Sequence, residues 1–239
     1  MLKRLIKHNP LIPVAVVAGA ALLLWVVGLF SFARHFDAVA KEREQSVVRN
    51  GLQARIAEIS HSAVPQLIWD DAVVNLDNHF NARWAHDNIG QFFSQTDGFE
   101  LAIALDRYDR PNFAMRDGAT ANPAEATPYV QAARPIIARV RDLERSRRAA
   151  GSLSEPIQAA SVEEINERLF VITATLVQPD FGAAHIRHAR APIVLTGEEI
   201  NGDFVETVAS RYLLPEAHLH FGDSRMEASE AHASLLDDT

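Results

Sequence analysis

The chain has 239 residues, 48% of them hydrophobic and 23% charged, with no cysteine and a formal net charge of −8. These values exclude a disulfide-stapled scaffold, a thiolate metal site, a cysteine nucleophile and a disordered acidic tail. Lys3, Arg4 and Lys7 are the charged residues of the first 33, so the remaining 20 basic residues face 31 acids and the body stands at −11, a poor match for nucleic acid.

Between Pro10 and Ala33 there is no charged residue, and the run is almost wholly apolar. At ~1.5 Å per residue a helix of that length reaches roughly 30 Å, the thickness of a bilayer's hydrocarbon core. The pattern predicts a cytoplasmic tail over 1–10 and a transmembrane helix over 11–33, with Pro13 in its first turn and Trp25 and Phe32 toward the far interface. A cleaved signal peptide is the rival, because Ser31-Phe32-Ala33 is a small-x-small triplet, but the run exceeds the ~7–15 residues of a signal h-region. Arg34, Lys41 and Arg43 nearly balance the basic tail, so the signal-anchor layout, more than charge, places the tail inside and the body in the periplasm.

From residue 34 to 64 the sequence predicts a stalk helix. Val48, Leu52, Ile56, Ile59 and Ala63 fall on one helical face. Two uses of that face are open, packing on the chain's own domain or pairing across a homodimer.

Pro65 is expected to close the stalk. A second helix follows, with Leu67, Ile68, Ala72, Val73 and Leu76 as its stripe and Trp69-Asp70-Asp71 in its first turns. A third runs from Ala82 to about Gln95, with Trp84, Ile89, Phe92 and Phe93 on one face and Thr96-Asp97-Gly98 as its break. The apolar runs 99–105 and 111–115, joined by Asp106-Arg107-Tyr108-Asp109-Arg110, read as a hairpin. Thr127-Pro128-Tyr129 opens a helix through Ile136, Ile137, Val140 and Leu143 that Gly151 stops. Strands are expected at 157–162, 168–178, 191–195 and 218–221, and a helix at 204–213. Strands in antiparallel succession with helices collected at the front give an α+β fold.

Pro65-Gln66-Leu67-Ile68-Trp69-Asp70-Asp71-Ala72, then Phe80, Trp84 and Asn88-Ile89-Gly90, then the hairpin at Asp106, resemble the fourth class of CHASE extracytoplasmic sensor domain. The resemblance extends from the stalk through 176–180 and 191–214 and covers most of the chain outside the predicted span. It implies a Cache-like or PAS-like antiparallel sheet with flanking helices over 65–239. It also implies a sensor without catalysis of its own, lying between two membrane spans and feeding cytoplasmic GGDEF and EAL domains that make and degrade cyclic di-GMP. No second long apolar run and no GGDEF or EAL motif occurs here, and Ser234-Leu235-Leu236-Asp237-Asp238-Thr239 reads as a strand interrupted. The expectation is a domain truncated before its last strand and return span.

The candidate ligand-binding residues are Trp69, Asp70, Asp71, Trp84 and Asn88. Aromatic walls beside a carboxylate and an amide suit a small cationic or polar ligand. The competing use is structural, with the carboxylates favoured at a helix start and the indoles as core. His185-Ile186-Arg187-His188 and His218-Leu219-His220 lack an accompanying carboxylate set, so no metal and no cofactor is expected. There is no Gly-x-Ser-x-Gly, no His-Glu-x-x-His and no phosphate-cradling glycine loop, which leaves a hydrolase built on scattered acids the weakest reading. A single-pass protein whose domain docks a partner, without ligand sensing, is the alternative to the sensor.

Overall fold

The computed structural model describes residues 11–150, 155–180 and 182–212, which fall into two units, 11–49 and 50–212. Helix α1, Leu11–Ser62, begins in the first and ends in the second. In the first unit the described side chains of Val14, Val17, Leu24 and Trp25 are each more than 60% exposed. Among the described residues no helix is long and apolar enough to cross a membrane.

The second unit is a six-stranded, wholly antiparallel sheet between two layers of helix. Its strands are β1 (Leu101–Leu105), β2 (Pro111–Arg116), β3 (Ala119–Ala121), β4 (Gln158–Ile165), β5 (Arg168–Leu176) and β6 (Ile193–Glu199), in the order β3-β2-β1-β6-β5-β4. Two hairpins are thus joined at the centre by the first strand and the last. Residues along the central strands alternate between two cores. Leu101, Ile103 and Leu105 face α6 (Thr127–Ala132) and α7 (Arg134–Ala149), while Ala102 and Ala104 face the layer made by the end of α1 and the short helices after it. Because both faces are covered, β5 is buried from Leu169 to Leu176, an apolar run more typical of a parallel sheet.

Turn chemistry fixes the hairpins. Asp106 folds the β1–β2 loop by accepting the backbone N–H groups of Tyr108 at 2.7 Å and Arg110 at 3.0 Å. Asp117-Gly118 (φ 50° and 73°) and Asn166-Glu167 (φ 52° and 63°) are two-residue turns in the left-handed region, the geometry that matches strand twist. The Asp-Gly turn creates β3, a strand absent from the sequence-based expectations although Asp-Gly is among the strongest hairpin signals.

Several boundaries differ for identifiable reasons. The stalk helix stops at Ser62, and Pro65 lies inside the first turn of α2, Val64–Leu67, where a missing N–H is tolerated. Pro135 splits the expected long helix into α6 and α7. The expected strand at 157–162 runs instead over Gln158–Ile165, and that at 191–195 over Ile193–Glu199. The last helix, α8, covers Gly202–Tyr212. Gly151, the strand expected at 218–221, His218, His220 and the segment 234–239 lie outside the described residues.

The apolar stripe on the stalk packs on its own domain. Ile59 and Ala63 are buried, and Leu52 and Ile56 lie against the same core. Of the two uses left open for that face, packing is the one adopted by residues 52–63.

Candidate functional site

The Trp-Asp-Asp segment is held at the end of the sheet by one buried glutamine. Gln178, just past β5, donates its N–H to the carbonyl of Leu67 at 3.1 Å and accepts the N–H of Trp69 at 3.0 Å. Its side chain closes the entry to β4, accepting from Ile157 N at 2.8 Å and donating to Glu155 O at 3.1 Å. Trp69 therefore stands in extended backbone (φ −157°, ψ 136°) immediately before α3, Asp70–Ala72. It precedes the helix rather than lying within its first turn.

Two π-helical turns follow, an element the sequence reading did not anticipate. One, Val73–Asn78, continues α3; the other, His86–Gln91, lies between α4 (Ala82–Ala85) and α5 (Phe92–Thr96). Such turns are rare and concentrate at functional sites. Asn81 caps α4 by accepting Trp84 N at 3.1 Å. Trp84 is thereby brought to Trp69, with ring centroids 5.9 Å apart and planes inclined by 44°. Both indoles are half-buried.

The remaining candidates divide. One oxygen of Asp70, Oδ2, accepts Ala183 N at 3.1 Å from the β5–β6 loop, while Oδ1 is shielded from solvent with no hydrogen-bond partner among the described residues. Asp71 is exposed, and its backbone carbonyl receives the Asn75 amide at 2.9 Å. Asn88 donates one amide hydrogen to Trp84 O at 3.1 Å, and its backbone carbonyl accepts from Gln66 at 3.0 Å. The fold thus brings Trp69, Trp84 and Asn88 together, sets Asp70 next to Trp69 with an oxygen to spare, and leaves Asp71 facing water.

Gly90 explains the Asn-Ile-Gly element. A Cβ there would lie 2.6 Å from Met115 Cε and 2.8 Å from Phe113 Cζ, so glycine lets this turn lie directly on β2 without displacing those side chains. Phe93 and Ile89, both fully buried, complete the seat.

Below the tryptophans the stalk is tied to the sheet and to α8. Ser60 Oγ and Thr173 Oγ1 are 3.2 Å apart in the core, and Arg55 reaches Glu198 at 2.6 Å. Glu58 pairs with Arg211, whose hydrogen bond holds the Glu58 carboxyl below its usual range. The Tyr212 ring lies against Gly51, where a Cβ would come within 2.9 Å of it.

On the opposite face, Arg141, 7% exposed, joins Asp109 in the β1–β2 loop to Glu144. Glu144 also accepts from Arg148 at 3.0 Å and from Ala191 N at 2.8 Å, and Arg190 pairs with Asp109. Every charge in this network has a partner, which marks it as structural. No three His, Asp or Glu side chains converge to hold a metal ion among the described residues.

No curated relative matches the chain. The family model described as the CHASE4 domain matches residues 51–220, from the stalk's last turns through α8, the motif-bearing elements included. CHASE4 is a sensor-type extracellular family and not a catalytic one, and the chain belongs to it.

Proposed function

We propose that this chain is the extracytoplasmic, ligand-sensing input module of a membrane-bound signalling protein. The observation that carries the reading is the half-buried Trp69–Trp84 pair, followed in the chain by Asp70, whose Oδ1 has no hydrogen-bond partner among the described residues. Two aromatic faces and one negative charge favour a small organic cation. Asn88 closes one side, and Asp71 contributes charge from the surface without touching the ligand.

Anchoring rests on residues 11–33 as a single span of the inner membrane, with the tail over 1–10 cytoplasmic and the domain from 65 onward periplasmic. The exposed apolar side chains of α1 support this, since a helix apolar on every face is suited to lipid. The two-hairpin sheet order is what a Cache-like or PAS-like sensor would have. Ligand binding would shift the Trp-Asp-Asp segment and, through Ser60, Arg55 and Glu58, the stalk. A homodimer would pair stalks N-terminal to residue 52, because the stripe from Leu52 to Ala63 is occupied by the chain's own domain. The output would be cyclic di-GMP synthesis or breakdown by domains outside this chain.

The test is a thermal-shift titration of the full chain in detergent with tetramethylammonium, choline and aliphatic diamines, alongside Trp69→Ala. A rise in melting temperature with one of these, absent in the variant, is the expected result. No rise with any of them overturns the cation site.

A further inference from the structure

Three segments distant in sequence meet at one imidazole. His188, in the β5–β6 loop, places Nδ1 3.0 Å from Oδ1 of Asp77, which belongs to the first π-helical turn. Its Nε2 lies 2.7 Å from Nη1 of Arg107, in the β1–β2 loop. Asp77 is nearly enclosed, its side chain 2% exposed. Its other oxygen accepts Arg187 N at 2.8 Å and, with the Asn78 amide nitrogen turned toward it, Asn78 at 3.3 Å.

The chemistry of these partners leaves one protonation state. A guanidinium only donates, so Nε2 must accept; a carboxylate only accepts, so Nδ1 must carry the hydrogen. His188 is neutral in this arrangement. A second proton has only Nε2 to occupy, where it would set N–H against N–H and cation against cation at 2.7 Å. Asp77 would hold the imidazolium more strongly, while Arg107 would have to leave.

We propose that His188 is a proton-sensing site, in which protonation keeps the β5–β6 loop on Asp77 and releases Arg107, loosening the β1–β2 loop, which the Arg190–Asp109 pair then holds to the β5–β6 loop. The other charges around it do not replace the lost contact. Arg187 is exposed and engages Asp77 through its backbone, Arg190 and Arg141 are committed to Asp109, and Asp106 accepts its own loop's amides. Arg107 and Arg110 lie 4.8 Å and 5.7 Å from the centroid of the Tyr108 ring, so a released guanidinium has that ring and solvent to turn to. Imidazole is the side chain whose charge changes over the pH range such a domain meets. The site is separate from the tryptophan pair, and either can fail without the other.

The experiment compares thermal melts of the full chain in detergent at pH 8 and pH 5. Arg107→Met is expected to lower the melting temperature at pH 8 and to leave it unchanged at pH 5, where the contact is already broken. In a His188→Gln background, which has no ring nitrogen to take a second proton, the same change should cost equally at both. Nitrogen-15 spectra of histidine-labelled chain provide the second measurement, with the His188 proton on Nδ1 at pH 8. Equal losses at both pH values without His188→Gln, or a proton on Nε2 at pH 8, overturns the proposal.

Discussion

Trp69 and Trp84 pack their indoles at 5.9 Å and 44°, an inclined contact between a residue in extended backbone and one in the first turn of a capped helix. Each ring is half-buried, so neither is purely core nor purely surface. Trp69→Ala or Trp84→Ala should therefore cost about 1–3 kcal/mol, less than a fully buried aromatic. Urea unfolding reads that loss, and ligand titration at a temperature where the variant remains folded reads the loss of response. A cost beyond that range with ligand response retained would identify the ring as core.

Gly90→Ala forces a methyl toward the Phe113 ring and the Met115 tip. Met115 can yield because its end is flexible; the ring is stiffer. The expected destabilisation is about 1–3 kcal/mol, the usual range for overpacking, measured as a lower urea midpoint at constant slope. Gly98→Ala, where a Cβ has open space but the backbone has φ 74°, separates conformational strain from overpacking.

Glu144→Gln removes a buried negative charge from between Arg141 and Arg148. Breaking such a pair while leaving its partners in place costs about 3–5 kcal/mol. Chemical denaturation checks it, and exchange of the Ala191 amide, which donates to Glu144, should accelerate in parallel.

Acid should weaken the base of the domain through two carboxylates. Hydrogen bonds from Arg168 to Glu199 and from Arg211 to Glu58 hold both carboxyls below their usual range. A carboxyl depressed on folding contributes stability that is fully present above its unfolded value and is lost as pH falls through its folded one. Glu100 has the opposite sign, since burial raises it and its ionised form opposes folding at neutral pH. Glu199→Gln should flatten the acid limb of a stability–pH curve, below the ordinary glutamate range where the Arg168 contact is lost. Glu100→Gln should raise stability at pH 7. An unchanged acid limb in the first would mean that Arg168 gains nothing from Glu199.

Much of the fold could be read from patterning, because each element had a local cause. Thr96-Asp97-Gly98 ends one helix, Asp106 nucleates the first hairpin loop, and the long apolar run after Arg168 becomes the buried strand β5. What failed was either punctuation left unread, as at Pro135 and Asp117-Gly118, or structure with no local signature. The π-helical turns are of the second kind, since an extra residue per turn is imposed by what the helix packs on.

The candidate site divides in the same way. The residue types at Trp69, Asp70, Trp84 and Asn88 were visible as a motif, but Asp71 belonged to it only by adjacency and faces solvent, and nothing local pointed to Gln178 as the clamp.

The sequence by itself determined the uncharged apolar run over 11–33, the α+β class and the CHASE4 character, because composition and spacing are local properties of a chain. Tertiary structure decided which face the stalk buries, that Gly90 is a contact and not a turn, and that Asp77, His188 and Arg107 form one chain of hydrogen bonds. Those relationships join segments far apart in sequence, and their chemistry exists only once packing has set a carboxylate and a guanidinium on either side of one imidazole.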